Sequence, residues 1–139
     1  MRITLSTAAL RLLARLPLRA NHRLGSALGW AGYVLPTRWR RVSRINIDLC
    51  FPELSARERR RLIGESLVET GKMLTETAAL LLWDSARVLD LVKKVSGEDA
   101  VHEALKQGKG VILATPHLGA WELAGLYCSS RWPLTKIPA

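Results

Sequence analysis

The residues of this chain best suited to chemistry stand in one short string, Thr115-Pro-His-Leu-Gly-Ala-Trp-Glu122. A histidine and a carboxylate at this spacing suit general base catalysis. A neutral imidazole accepts a proton from a hydroxyl, while the carboxylate holds its tautomer and stabilises the imidazolium that forms. Five residues is a rotation of about 500° on an ideal helix, so His117 and Glu122 would not share a face if both were helical. The pair therefore requires His117 in the turn before the helix, its ring folded back, and Gly119 supplies backbone freedom for that fold. Trp121 would pack the site or face an apolar substrate. The amino terminus of the following helix, with N–H groups left unpaired, can stabilise negative charge nearby. Spacing alone favours a structural histidine, since a histidine at a strand end is more often structural than catalytic.

Other chemistry is poorly served. His22 and His102 have no partner arrangement and read as surface residues. Three histidines and two cysteines, Cys50 and Cys128, lack ligand spacing, so neither a metal site nor a cofactor is expected. The cysteines are expected to be reduced. Gly108-Lys-Gly110 is too short for a phosphate loop.

The string needs elements to position it. Residues 110–115, GVILAT, form a continuous apolar run that predicts a buried strand of a parallel sheet, stopped by Pro116. His117 would then stand outside the carboxyl end of a strand, where catalytic groups of open α/β sheets gather. Residues 88–95 predict a second strand, with a helical end as the alternative. Between the two, Ser96-Gly-Glu-Asp99 opens a helix with Ala100, Val101, Ala104 and Leu105 as its apolar face, closed by Gly108 and Gly110. Residues 118–127 predict a further helix, with Leu123, Leu126 and Tyr127 turned to the core. Strand, helix, strand, helix is the grammar of an α/β fold. Two strands leave exposed edges and little core, so this α/β part reads as incomplete.

Upstream, Ser55-Ala-Arg-Glu58 reads as a capping box. Leu62, Ile63, Leu67, Gly71, Leu74, Ala78, Leu81 and Leu82 follow at helical spacing, and residues 83–85 end the run. The predicted organisation is a basic, apolar, membrane-associated region over 1–54. The long helix and the first βαβα part of a sheet domain follow over 55–139.

Charge sets the first region apart. Residues 1–61 hold 13 Lys+Arg against 3 Asp+Glu, whereas residues 62–139 hold 8 against 9. Arg11, Arg15, Arg19 and Arg23 recur every four residues beside Leu10, Leu12, Leu13 and Leu16, a stripe that Pro17 kinks or divides. Arginines snorkelling from an apolar body to anionic headgroups describe an interfacial helix. Alternation with leucine-rich stretches argues against a nucleic-acid arm. The longest apolar stretch, the 13 residues 24–36, would cover only ~20 Å. A spanning helix needs about 20 residues. Arg11 and Arg15 also interrupt any signal-peptide core. If any crossing occurs, the arginines belong on the cytoplasmic side. Such a surface suits a membrane-bound enzyme or a non-catalytic adaptor that binds anionic lipid.

Two segments carry a family resemblance. Residues 108–122, GKGVILATPHLGAWE, resemble the signature of the bacterial lipid A biosynthesis acyltransferases, in which such a strand leads into an H-x4-D/E motif. Residues 44–53, RINIDLCFPE, are similar to that family's N-L-x-x-C-F-P-E block. The resemblance runs from about Leu16 to the end. It implies that His117 is the general base and Glu122 its partner. It also implies transfer of a fatty acyl chain from acyl carrier protein, or acyl-CoA, to a hydroxyl of a lipid A precursor or related glycolipid. The place implied is the cytoplasmic face of the bacterial inner membrane. Donor and acceptor are both acidic, which agrees with the basic balance. Members of that family are considerably longer, and Leu134-Thr-Lys-Ile-Pro138 stands where they carry a Tyr-Arg-Pro stretch. The chain thus resembles a truncated member, poorly folded after about Trp83 and inactive alone.

Overall fold

The computed structural model describes residues 2–108 and 110–135, with side chains from residue 7 onward. Proline sets the first boundaries. Helix α1, Arg2–Arg15, ends just before Pro17, whose φ of −62° suits the N-cap of α2, Leu18–Val34. The arginine stripe is accordingly split, with Arg11 and Arg15 on α1 and Arg19 and Arg23 on α2. Leu35-Pro36 ends α2, and Thr37 caps α3, Arg38–Cys50, by accepting from the Arg40 N–H at 3.1 Å. Helix α4, Ala56–Leu82, begins with the expected capping box. The Ser55 N–H donates to Glu58 Oε2 at 2.8 Å, and the Glu58 N–H donates to Ser55 Oγ at 3.3 Å.

Small residues set how closely α2 and α4 pack. Gly25, Gly29 and Gly71 are all buried. A Cβ added to Gly29 would stand 2.3 Å from the Leu67 carbonyl oxygen, and one on Gly71 would stand 2.1 Å from the Gly25 oxygen. Two backbones meet here with no room for a methyl group. The crossing is sealed by the Thr75 hydroxyl, which donates to the Asn21 carbonyl at 2.8 Å. The Asn21 amide in turn donates to the Leu13 carbonyl at 3.1 Å, and the Trp83 indole donates to Ala14 at 2.7 Å, tying α1 to both helices. Ile47 of α3 joins Ile63 and Leu67 in the core, with Tyr33 and Leu62 against it.

The expected apolar face of α4 is met at Ile63, Leu67, Gly71 and Ala78, but Leu74, Leu81 and Leu82 are exposed. Thr75 and Ala79 are buried instead. The contact stripe uses small side chains because only those admit α2, and the larger leucines fall beside it.

The chain forms two compact units, Met1–Trp83 and Asp84–Ala139. The long helix belongs to the first, where its partners are α1, α2 and α3. The second unit holds α5, Ser85–Leu89, α6, Glu98–Lys106, and α7, Trp121–Arg131. Helix α6 begins after Gly97 (φ 88°) and stops at Gly108 (φ 69°), the expected glycine stop; Lys109 lies outside the described residues.

The α/β expectation is not met in this unit. Among the described residues there is no strand. Val88 and Leu89 complete α5, residues 92–97 have no regular structure, and neither do residues 110–115. A strand's N–H and C=O groups must pair with a neighbouring strand. Among the described residues no such pairing is formed, and Ile112 of the apolar run is 88% exposed. The expected core contacts Leu123, Leu126 and Tyr127 are half-buried, and Val88 is the one buried hydrophobic residue described in this unit. Residues 136–139, part of the segment compared with the Tyr-Arg-Pro stretch, lie outside the described residues.

Candidate functional site

The turn expected before the last helix is present. Pro116 ends the irregular run, the Leu118 N–H donates to the Pro116 carbonyl at 2.9 Å, and Gly119 adopts φ 61°, which favours glycine. Helix α7 then starts at Trp121, three residues later than the expected helix over 118–127. His117 thus lies in the turn and Glu122 in the first turn of the helix, the arrangement their spacing demands.

Their side chains are not joined. The exposed imidazole of His117 packs edge-on against Trp121, with ring centroids 4.4 Å apart at 60°. Glu122 is half-buried, and neither a hydrogen bond nor an ion pair links it to His117. The site therefore offers a solvent-facing proton acceptor, an aromatic wall beside it and a carboxylate one residue along. Of the residues singled out, Gly119 and Trp121 shape the turn and contact the imidazole, and Glu122 stands adjacent without touching it.

An apolar groove of about 430 Å³ lies in the same unit, lined by Val95, Val101, Leu113, Leu123, Ala124 and Cys128 among others. Across it the Tyr127 hydroxyl donates to the Glu98 carboxylate. Arg131 is held above the usual guanidinium range, first by Tyr127 and then by the Glu98 charge.

The basic residues lie in the other unit. Arg11, Arg15, Arg19 and Arg23 are all exposed, in pairs on two helices. Arg40 lies over the Tyr33 ring at 5.5 Å, and Arg59 pairs with Asp48 at 3.3 Å. A hollow of about 450 Å³ is lined by Pro36, Thr37, Arg38, Arg40, Arg41 and Arg44. Among the described residues no helix is long and apolar enough to cross a membrane.

Two histidines expected to lack partners have them, His22 half-buried and His102 exposed at the surface as expected. His22 Nε2 lies 2.7 Å from Glu76 Oε2, joining α2 to α4. His102 meets Trp132 edge-on at 5.6 Å. Neither partner is visible in local spacing, because 54 residues separate His22 from Glu76 and 30 separate His102 from Trp132.

Residues 2–136 match the model of a family described as bacterial lipid A biosynthesis acyltransferase. The chain is 29% identical over 119 residues to a lipid A biosynthesis lauroyltransferase of Escherichia coli, covering 86% of this chain and 39% of that protein. It is 33% identical over 102 residues to a lipid A biosynthesis palmitoleoyltransferase of the same organism, covering 73% of this chain and 33% of that one. A lipid A biosynthesis acyltransferase of Haemophilus influenzae is 30% identical over 122 residues, 86% of this chain and 38% of that protein. The chain thus spans well under half the length of these relatives. No solved structure matches it.

Proposed function

The chain belongs to the bacterial lipid A biosynthesis acyltransferase family, and from that premise we propose that it supplies the proton-acceptor region of an enzyme that acylates a lipid A precursor or related glycolipid. The observation that carries this reading is the position of His117. It stands in a glycine-bearing turn at the start of α7, inside the matched region, with its ring open to solvent.

In the proposed reaction His117 takes the proton from the acceptor hydroxyl. The oxygen attacks the thioester carbonyl of acyl carrier protein or acyl-CoA, and an ester bond forms as the carbon–sulfur bond breaks. The imidazolium then returns its proton to the departing thiolate. Glu122 would orient and charge-stabilise His117 after a rotamer change in either side chain, since catalytic hydrogen bonds are often unmade without substrate. Trp121 holds the imidazole edge-on meanwhile. No metal or cofactor enters this scheme. The basic first unit suits an acidic donor and an anionic glycolipid, at the cytoplasmic face of the inner membrane, with Arg11, Arg15, Arg19 and Arg23 among the headgroup contacts. For the fold, we propose that residues 110–115 become a parallel strand when partner strands flank them. The run is apolar, opens at Gly110 and closes at Pro116.

Acyl transfer from acyl carrier protein to a lipid A precursor, measured in the protein that carries this region, is the test. Activity that survives His117→Ala and Glu122→Gln overturns the catalytic assignment. A second reading, a non-catalytic adaptor on anionic lipid, is favoured by the unjoined His117 and Glu122 side chains. Lipid binding without any acyl transfer would select it.

A further inference from the structure

Helix α3 is apolar on the side it turns away from the protein. Ile47 points to the core and is 7% exposed. At 100° per residue Val42, Ile45 and Leu49 fall together on the opposite side. They are 46%, 44% and 75% exposed. A helix that serves only to cover a core would carry polar residues there.

Positive charge flanks this stripe. Arg38 and Arg41 stand in the first turn of α3, where the helix dipole already presents positive charge and cations are disfavoured. Among the described residues neither makes an ion pair. Both line the arginine hollow at this end of the helix, which no acidic residue lines, and Asp48 further along α3 is paired with Arg59. On α2 the outward positions Arg19, Arg23, Trp30 and Val34 repeat the pairing of arginine with exposed apolar side chains.

We propose that α3 is a membrane-docking helix that lies on an anionic bilayer. Val42, Ile45 and Leu49 enter the boundary between headgroups and acyl chains, and Arg38 and Arg41 engage lipid phosphates. Charge complementarity selects this occupant. A second copy of the chain would bring one surface with 13 Lys+Arg against 3 Asp+Glu onto another, and the two would repel. Nucleic acid would leave the apolar stripe in water. The inference rests on the membrane reading above and deepens it, because it places the insertion on α3 rather than on the arginine stripe of α1 and α2.

The experiment is flotation of the 139-residue chain with mixed phosphatidylglycerol–phosphatidylethanolamine vesicles and with phosphatidylcholine vesicles. Four proteins are compared: the parent, a Val42→Ser/Ile45→Ser/Leu49→Ser variant, an Arg38→Gln/Arg41→Gln variant and an Arg11→Gln/Arg15→Gln variant. The parent is expected to float with the anionic vesicles. The serine variant should bind on the order of a hundredfold more weakly, from the apolar surface it no longer buries. The glutamine variant should lose about fivefold per arginine and depend less on salt. Should the serine variant lose helical circular dichroism, the glutamine variant decides, since it removes no packing contact. A parent that fails to float overturns the proposal together with the membrane reading. A parent that floats while both α3 variants bind unchanged overturns the proposal alone, and loss only on Arg11→Gln/Arg15→Gln moves the contact to α1. A dimer in gel filtration, abolished by the serine variant, would assign the stripe to a second copy.

Discussion

His117 and Trp121 meet edge to face, with ring centroids 4.4 Å apart, while Glu122, the next residue along the helix, leaves the imidazole untouched. In the proposed reaction Trp121 would position the imidazole before substrate binds, and Glu122 would engage it afterwards. His117→Ala should therefore lower acyl transfer by about 10²–10⁴-fold in the protein carrying this region. Trp121→Leu keeps the acceptor and loosens its orientation, so it should fall between parent and His117→Ala. Steady-state rates at saturating donor give the order. A Trp121 variant as inactive as His117→Ala, with unchanged circular dichroism, would mean that the indole does more than hold the ring.

The crossing of α2 and α4 predicts opposite outcomes for two glycines. Gly29→Ala drives a methyl group to 2.3 Å from the Leu67 carbonyl oxygen and should destabilise the first unit by about 1–3 kcal/mol or more. At Gly64 the added carbon would meet only the Tyr33 ring at 3.8 Å, an ordinary contact. Gly64→Ala lies inside the same long helix and should stabilise by about 0.5–1 kcal/mol. Urea denaturation of both variants is the check. Equal effects would mean that the two backbones do not approach so closely.

Acid should loosen the start of α4. The Glu58 carboxyl is held below its ordinary range by the Ser55 hydroxyl first and the Ser55 N–H second. A carboxylate with the lower value in the folded state contributes fully above the usual glutamate range. That contribution is lost as pH falls through its lowered folded value. Helicity followed by circular dichroism on acidification should show this loss in the parent and much less of it in Ser55→Ala. At neutral pH, removal of the Ser55 cap should cost about 1 kcal/mol.

Hydrogen exchange should separate the two units. Amides of α4 near Ile63, Leu67 and Thr75 sit in a hydrogen-bonded helix with a buried face and should be strongly protected. Among the described residues, amides of 111–115 make no backbone hydrogen bond and should exchange near the unprotected rate. Protection of 111–115 equal to that of α4 in the monomeric chain would show a sheet already formed.

The helix boundaries at Pro17, Ser55, Gly97 and Gly108 were legible in the sequence because their causes are local. Pro17 lacks an N–H and divides α1 from α2, Ser55 and Glu58 cap α4 reciprocally, and Gly97 and Gly108 take the positive φ that brackets α6. The placement of His117 in a turn and Glu122 in a helix was legible too, since five residues of helix would have set them on different faces. Which apolar residues are buried was not. Leu74 and Leu81 obey the same period as Leu67, yet the approach of α2 selects Gly71, Thr75 and Ala79, and helix-to-helix distance depends on both partners at once. The same reason hid the pairing of His22 with Glu76 across two helices. It also explains residues 110–115, whose composition suits a strand but whose hydrogen bonds must come from another segment. Period, caps and charge belong to each segment by itself and are written in it. Contact, register and burial belong to pairs of segments, so only the tertiary structure decides them.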